Sequence, residues 1–143
     1  MFKLKKILNQ RCNAPEVELQ RVYSDLIAKK GMIFIFFDGT LSNELIDTQK
    51  IGELYYCLSD KKDGYVACCR VTPDMIFEVE QPKSSSSPNV GKLCSLQVKD
   101  IGTGYENIAK DPPSVWGVLV LGKEAKEDTD IFTIKFKDVE RRD

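Results

Sequence analysis

The chain reads as an α+β domain, an N-terminal amphipathic helix packed on a mostly antiparallel sheet of about seven strands. Three observations predict it. A capped apolar stripe of helical period covers residues 14–30, short β-rich runs separated by turn residues follow it, and the strand–helix alternation of a doubly wound sheet is absent. Its 143 residues suit a single domain, 1–143, around one core.

The helix has marked ends. Asn13 can cap it, Glu16 can reach back in a capping box, and Pro15 sits in the first turn, where its missing N–H costs nothing. Leu19, Val22, Tyr23, Leu26 and Ile27 form the predicted buried stripe, and Lys29, Lys30 and Gly31 close the last turn. Before it, "MFKLKKIL" is too short for a secretory core, and Gln10 and Arg11 stand where lipoprotein cleavage before Cys12 needs small residues. Met1, Leu4, Ile7 and Leu8 share a helical face opposite Lys3, Lys5 and Lys6, so a short helix on its own domain or a frayed end is expected. Membrane-surface contact through residues 1–11 is not.

Strands are expected at 32–37, 53–59, 64–71, 75–80, 93–98, 115–121 and 131–137. Met32–Phe37 is a continuous apolar run that reads as a central strand ended by Asp38-Gly39. A hairpin around "DKKD" would set Leu58 opposite Tyr65, Tyr56 opposite Ala67 and Leu54 opposite Cys69. Leu54, Tyr56, Leu58, Tyr65, Ala67, Cys69 and Val71 then share the expected core face, and Glu53, Tyr55, Cys57, Val66, Cys68 and Arg70 the other. Residues 81–91, with Ser84 to Ser87 between prolines, read as a flexible loop.

Composition narrows function. Twenty-one basic against 22 acidic residues give a net charge of −1, without the cationic excess of a general nucleic-acid binder. No residue is a histidine, which removes His-based triads, His metal sites and His pH switches. The five cysteines are odd in number and form no CxxC pair, so reduced, mostly buried thiols in a cytoplasmic protein are expected. Cys57 and Cys68 should sit diagonally on one hairpin face as two reduced thiols.

Two segments look chemical. "IFIFFDGTL" resembles the first motif of haloacid-dehalogenase-like phosphatases, but the nucleophile position falls on Phe36, so Asp38-Gly39 is read as a turn after a strand. "LQVKDIGTGYENIA" is similar to the glycine-rich motif of Rossmann-type methyltransferases. Gly102 and Gly104 match it, while Glu106 occupies the third glycine position and only 39 residues follow Gly104, so the segment is read as a glycine-assisted turn. Glu78 and Glu80 are expected on the wet face of an edge strand, and Glu124, Glu127, Asp128 and Asp130 in a solvated loop.

The expectation is therefore a small, non-enzymatic, cytosolic protein-binding domain with no cofactor and no metal. Immunity proteins and accessory proteins of phages or mobile elements share its size and composition. Its predicted contact residues are Tyr55 and Arg70 on the non-core hairpin face, with Trp116 as a further candidate. The alternative is a small-molecule or carboxylate-based enzyme domain using the Gly102–Gly104 turn.

Overall fold

The computed structural model describes residues 1–8, 14–43, 53–110 and 116–138. Among them there is no helix, so the α+β expectation is overturned and the described chain is built from β-strands. The strands are β1 (Phe2–Ile7), β2 (Glu18–Arg21), β3 (Ile33–Phe37), β4 (Thr40–Ser42), β5 (Glu53–Cys57) and β6 (Tyr65–Arg70). After these come β7 (Met75–Pro82), β8 (Leu93–Val98), β9 (Tyr105–Ala109), β10 (Trp116–Ala125) and β11 (Thr129–Asp138).

The chain gathers into two compact units. The first comprises Met1–Asn13, Thr72–Gln97 and Asn107–Asp143, and the second Ala14–Val71 with Val98–Glu106. The Ser/Pro stretch lies inside the first unit. There Lys110 N donates to Ser86 O at 2.8 Å, and Gly91 N to Val120 O at 2.8 Å.

In the first unit β1, β7, β11, β10 and β8 pair in that order, all antiparallel. Their registers align one apolar row: Phe2 opposes Val79, Val79 opposes Phe132, Phe77 opposes Ile134, and Val118 opposes both Phe136 and Cys94. Phe2, Phe77 and Phe136 meet with ring centroids 5.5–6.5 Å apart, and the Phe77–Phe136 pair is edge-to-face at 89°. "MFKLKKIL" is thus a strand. A register shift between Leu4 and Lys6 lets Phe2 and Ile7 both turn inward, which gave the apolar spacing a helical look.

The second unit curls on itself. β2 pairs with β6, β6 with β5, β5 with β3 and β3 with β4, each antiparallel. A parallel bridge from Val22 to Leu41 then joins the end of β2 to β4, with Tyr23 N donating to Leu41 O at 3.0 Å. Every strand of this small barrel contributes to its interior or stands beside it. Val22, Leu26, Ala28, Met32, Phe34, Leu41, Tyr55, Cys57, Val66 and Cys68 form the core cluster, with Phe36 packed against it.

The helix predicted over 14–30 is absent because its stripe does not stay on one side. Val22 and Leu26 are buried, whereas Leu19 is 72% exposed and Tyr23 and Ile27 are more than half exposed. Residues 18–21 instead complete a ladder with β6, and the β-branched and aromatic residues that follow suit extended backbone. The Asn13 cap lies outside the described residues.

Two Asp-Gly pairs make the tight turns. Asp38 and Gly39 have φ of 51° and 81°, Asp63 and Gly64 have φ of 53° and 84°, the left-handed pair of a type I′ hairpin. The second hairpin turns at Asp63-Gly64, where Lys62 bridges Tyr65, and the ladder of β5 with β6 differs by two residues from the expected one. Tyr55 opposes Arg70, Tyr56 opposes Cys69 and Cys57 opposes Cys68. A shift of two keeps every side chain on its face, but the barrel interior receives Tyr55, Cys57, Val66 and Cys68, the face expected to lie outside the core. Leu54, Tyr56, Cys69 and Val71 are buried as well, so apolar content could not tell the two faces apart.

Candidate functional site

Tyr55 and Arg70 are cross-strand partners, Tyr55 buried and Arg70 exposed. The Tyr55 ring is 4% exposed and packs edge-on against Phe36 at 5.7 Å, while its hydroxyl donates to Glu53 Oε2 at 3.2 Å. Burial, with Glu18 and Glu53 nearby, pushes the phenol up to about 12. Arg70 is exposed and binds Glu53 Oε1 at 3.1 Å, so Glu53 ties the pair together. Trp116 begins β10, and its side chain lies outside the described residues.

The thiols are withdrawn from chemistry. Cys57, Cys68, Cys69 and Cys94 are free and buried. Burial is the leading cause that raises Cys57, Cys68 and Cys94 to about 12 and Cys69 to about 11. At pH 7 a thiol of pKa near 12 is ionised in roughly one molecule in 10⁵, too few to act as a nucleophile. Cys57 and Cys68 are direct cross-strand partners rather than diagonal ones. Cys12 lies outside the described residues.

The glycine-rich segment is a bend. Gly102 has φ of 87°, a conformation that L side chains rarely adopt. Gly104 is small because a Cβ there would come within 2.6 Å of the Phe34 ring and 3.1 Å of Ile33 O. The bend is fastened on several sides. Ile27 N donates to Gly102 O at 2.7 Å, Asn43 Nδ2 to Thr103 O at 2.9 Å, and Thr103 Oγ1 to Asp100 O at 2.9 Å. Tyr105, next along the chain, donates its hydroxyl to Asn43 O at 2.5 Å. Burial holds that phenol near 12 and therefore protonated.

At the tip of this fastened turn stands Ile101, fully solvent-exposed. Tyr23 and Ile27 come from the segment expected to be a helix, and Ile27 bridges in parallel to Thr103, so the three form an exposed apolar ridge on the second unit. Tyr23 also divides two shallow concavities. One, about 380 Å³, is bounded by Tyr23, Asp25, Leu26, Asn43, Ile101 and Gly102. The other, about 540 Å³, lies toward Arg21, Thr40, Lys61, Asp63 and Tyr65. Lys61 is half-buried and oriented by its Nζ donating to Leu26 O at 2.9 Å and Ser24 O at 3.2 Å.

Sequence reasoning missed this ridge. Tyr23 and Ile27 were assigned to a buried stripe, and an apolar residue inside a glycine turn gives no sign of its exposure. The ridge's exposure depends on the pairing of β2 with β6 and on the bridge from Ile27 to Thr103, which no local pattern marks.

No protein-family model matches the chain, and neither the curated proteins nor the solved structures contain one significantly similar to it.

Proposed function

We propose that the chain is a non-enzymatic protein-binding domain that docks its partner on the Tyr23–Ile27–Ile101 ridge. The observation that carries this reading is Ile101, held in water on a turn that four hydrogen bonds fasten. A loose loop tip could fold an isoleucine back onto its own surface, whereas a fastened one keeps it displayed. Burying such a side chain in an interface is worth about 1.5–3 kcal/mol. An ordered turn loses little further conformational freedom on binding. Tyr23 adds an aromatic of the kind enriched among residues that dominate interfaces.

The small-molecule alternative keeps one supporting observation, the concavity of about 380 Å³ beside Gly102, a size at which ligand sites begin. Its described lining carries a single charged residue, Asp25, with Tyr23, Ser42 and Asn43 as its other polar side chains, of which Asn43 already donates to Thr103 O. Protein docking therefore has the stronger physical case.

A photo-crosslinking residue in place of Tyr23, with one in place of Lys137 as control, tests the reading in cells that naturally express the chain. The expected result is one discrete adduct from position 23 that disappears in an Ile101→Asp background, with stability altered by no more than ~0.5 kcal/mol, as for an exposed site. Indistinguishable adducts from the two positions, or an adduct indifferent to Ile101→Asp, would exclude the ridge as the docking surface.

A further inference from the structure

We propose that the open edge of β2 is a self-association site: a second copy of this chain adds its own β2 there, antiparallel, about a two-fold axis at Leu19. The contact belongs to the strand's edge and needs nothing from the ridge.

Backbone geometry carries it. β2 ends the strand order of its sheet, pairing with β6 alone before the bridge from Val22 to Leu41. Amides alternate in direction along a strand: Val22 N donates toward the β6 side, to Gly64 O, and Tyr23 N the other way, to Leu41 O. Leu19 and Arg21 share the parity of Tyr23, so their N–H and C=O groups turn away from β6. The residues opposite them agree. Ala67 O accepts from Leu58 N and Ala67 N donates to Ser59 Oγ, while Tyr65 exchanges both of its backbone groups with Lys62. Among the described residues the four outward groups of Leu19 and Arg21 meet no partner, and they stand two residues apart, as an incoming strand needs.

The side chains commit that edge to a second copy. β1, which ends the first unit's sheet, carries Lys3, Lys5, Lys6 and a register shift, devices that discourage further pairing. β2 is regular over Glu18–Arg21, has neither lysine nor proline, and shows a largely exposed Leu19 beside an exposed Val17. Two copies related about an axis normal to the sheet keep each residue on its own face, so only residues of like parity can oppose one another. With Leu19 on the axis, Leu19 opposes its twin, Glu18 opposes Gln20, and Val17 opposes Arg21. No like charges meet, and the open groups of the two edges bond each other. An axis at Glu18 or Arg21 would oppose like charges, and one at Gln20 would set each leucine against a guanidinium. The ladder stops short of Tyr23, where β4 already holds the edge.

Sedimentation velocity of the full chain over a concentration series tests this. So short an interface should give a weak dimer, with Kd between ~1 μM and ~1 mM. Leu19→Pro removes an outward N–H and no bond to β6, which an edge strand tolerates, so it should keep the wild-type circular dichroism and weaken dimerisation at least ~10-fold. Leu19→Lys sets like charges across the axis and should dimerise as poorly. Mixed with Leu19→Glu it should form heterodimers, a rescue that only a leucine-on-leucine register provides. A chain that stays monomeric at about 1 mM would overturn the inference and leave the edge to a strand of another protein. Dimers indifferent to Leu19→Pro and Leu19→Lys, or lost in Tyr23→Ala instead, would overturn it in favour of another contact. Failed rescue in the mixture would overturn the axis at Leu19 and the proposal with it.

Discussion

A carboxylate on the inward side of a strand stays charged only if cations meet it there, and Asp130 is met twice. It opens the inward row continued by Phe132, Ile134 and Phe136, with Lys83 Nζ at 2.9 Å and Lys123 Nζ at 3.6 Å. The Lys83 hydrogen bond leads in lowering its pKa below the ordinary 3.8, against the opposing effect of burial. A depressed folded-state pKa means stability that is present above the unfolded value and lost as pH falls through the folded one. Asp130→Asn should therefore melt lower than wild type at pH 7, with the gap closing below about pH 4. Thermal melts across pH 2–7 check this, and a gap that stays constant to the acid end would refute it. The thiols give a second residue-scale test. At pH 8 a thiol of pKa near 12 holds about 10⁻⁴ of its molecules as thiolate and one near 11 about 10⁻³, so the buried Cys57, Cys68, Cys69 and Cys94 should react with a disulfide reagent only as fast as the fold opens. Fast labelling of two or more thiols in the native protein would contradict that protection.

At the scale of elements, Gln81 acts as a piece of backbone. Its side chain is buried at the end of β7, accepts from Ile108 N at 2.9 Å and donates to Ile108 O at 2.9 Å, giving a stretch of β9 the pairing a neighbouring strand would give. Gln81→Leu orphans a buried donor and acceptor and should cost about 2–6 kcal/mol, each unsatisfied group counting ~1–3. Gln81→Glu should do no better, since an ionised carboxylate accepts from the N–H but has no donor for the carbonyl. Urea unfolding measures both, and a Gln81→Leu cost under ~0.5 kcal/mol would show that the bonds carry no net stability. The elements also show which signals the sequence held. Ile33–Phe37 and the Asp38-Gly39 turn were legible because a continuous apolar run and a left-handed pair are local properties, whereas the turn expected across "DKKD" forms at Asp63-Gly64. Residues 14–30 were not legible, since Val22 and Leu26 lie a helical turn apart by coincidence while Leu19, Tyr23 and Ile27 face water. Nothing local distinguishes that coincidence from a stripe. The ridge was hidden for the same reason, its exposure depending on the pairing of β2 with β6 and on the bridge from Ile27 to Thr103.

On the scale of the whole molecule, the pairings differ greatly in the length of chain they must close. The Asp38-Gly39 and Asp63-Gly64 hairpins join neighbours in sequence, whereas Phe2 pairs with Val79 and Ile33 with Tyr105, across most of a domain's length of chain. Loop closure makes such distant pairings entropically costly until much else has formed, so folding should take milliseconds to seconds. It also orders the events: the hairpins belong to the rate-limiting structure, and β1 docks after it. Phe2→Ala removes a ring that meets both Phe77 and Phe136 and should cost about 3–5 kcal/mol. If β1 docks late, nearly all of that cost falls on unfolding, which quickens by two orders of magnitude or more while the folding rate stays within about twofold. Gly64→Ala, by contrast, strains a left-handed turn residue with open space around it and should slow folding itself. Stopped-flow circular dichroism over a range of urea concentrations separates the two arms. A Phe2→Ala chevron whose folding arm drops by the full equilibrium cost would put β1 in the nucleus and reverse the order argued from loop length.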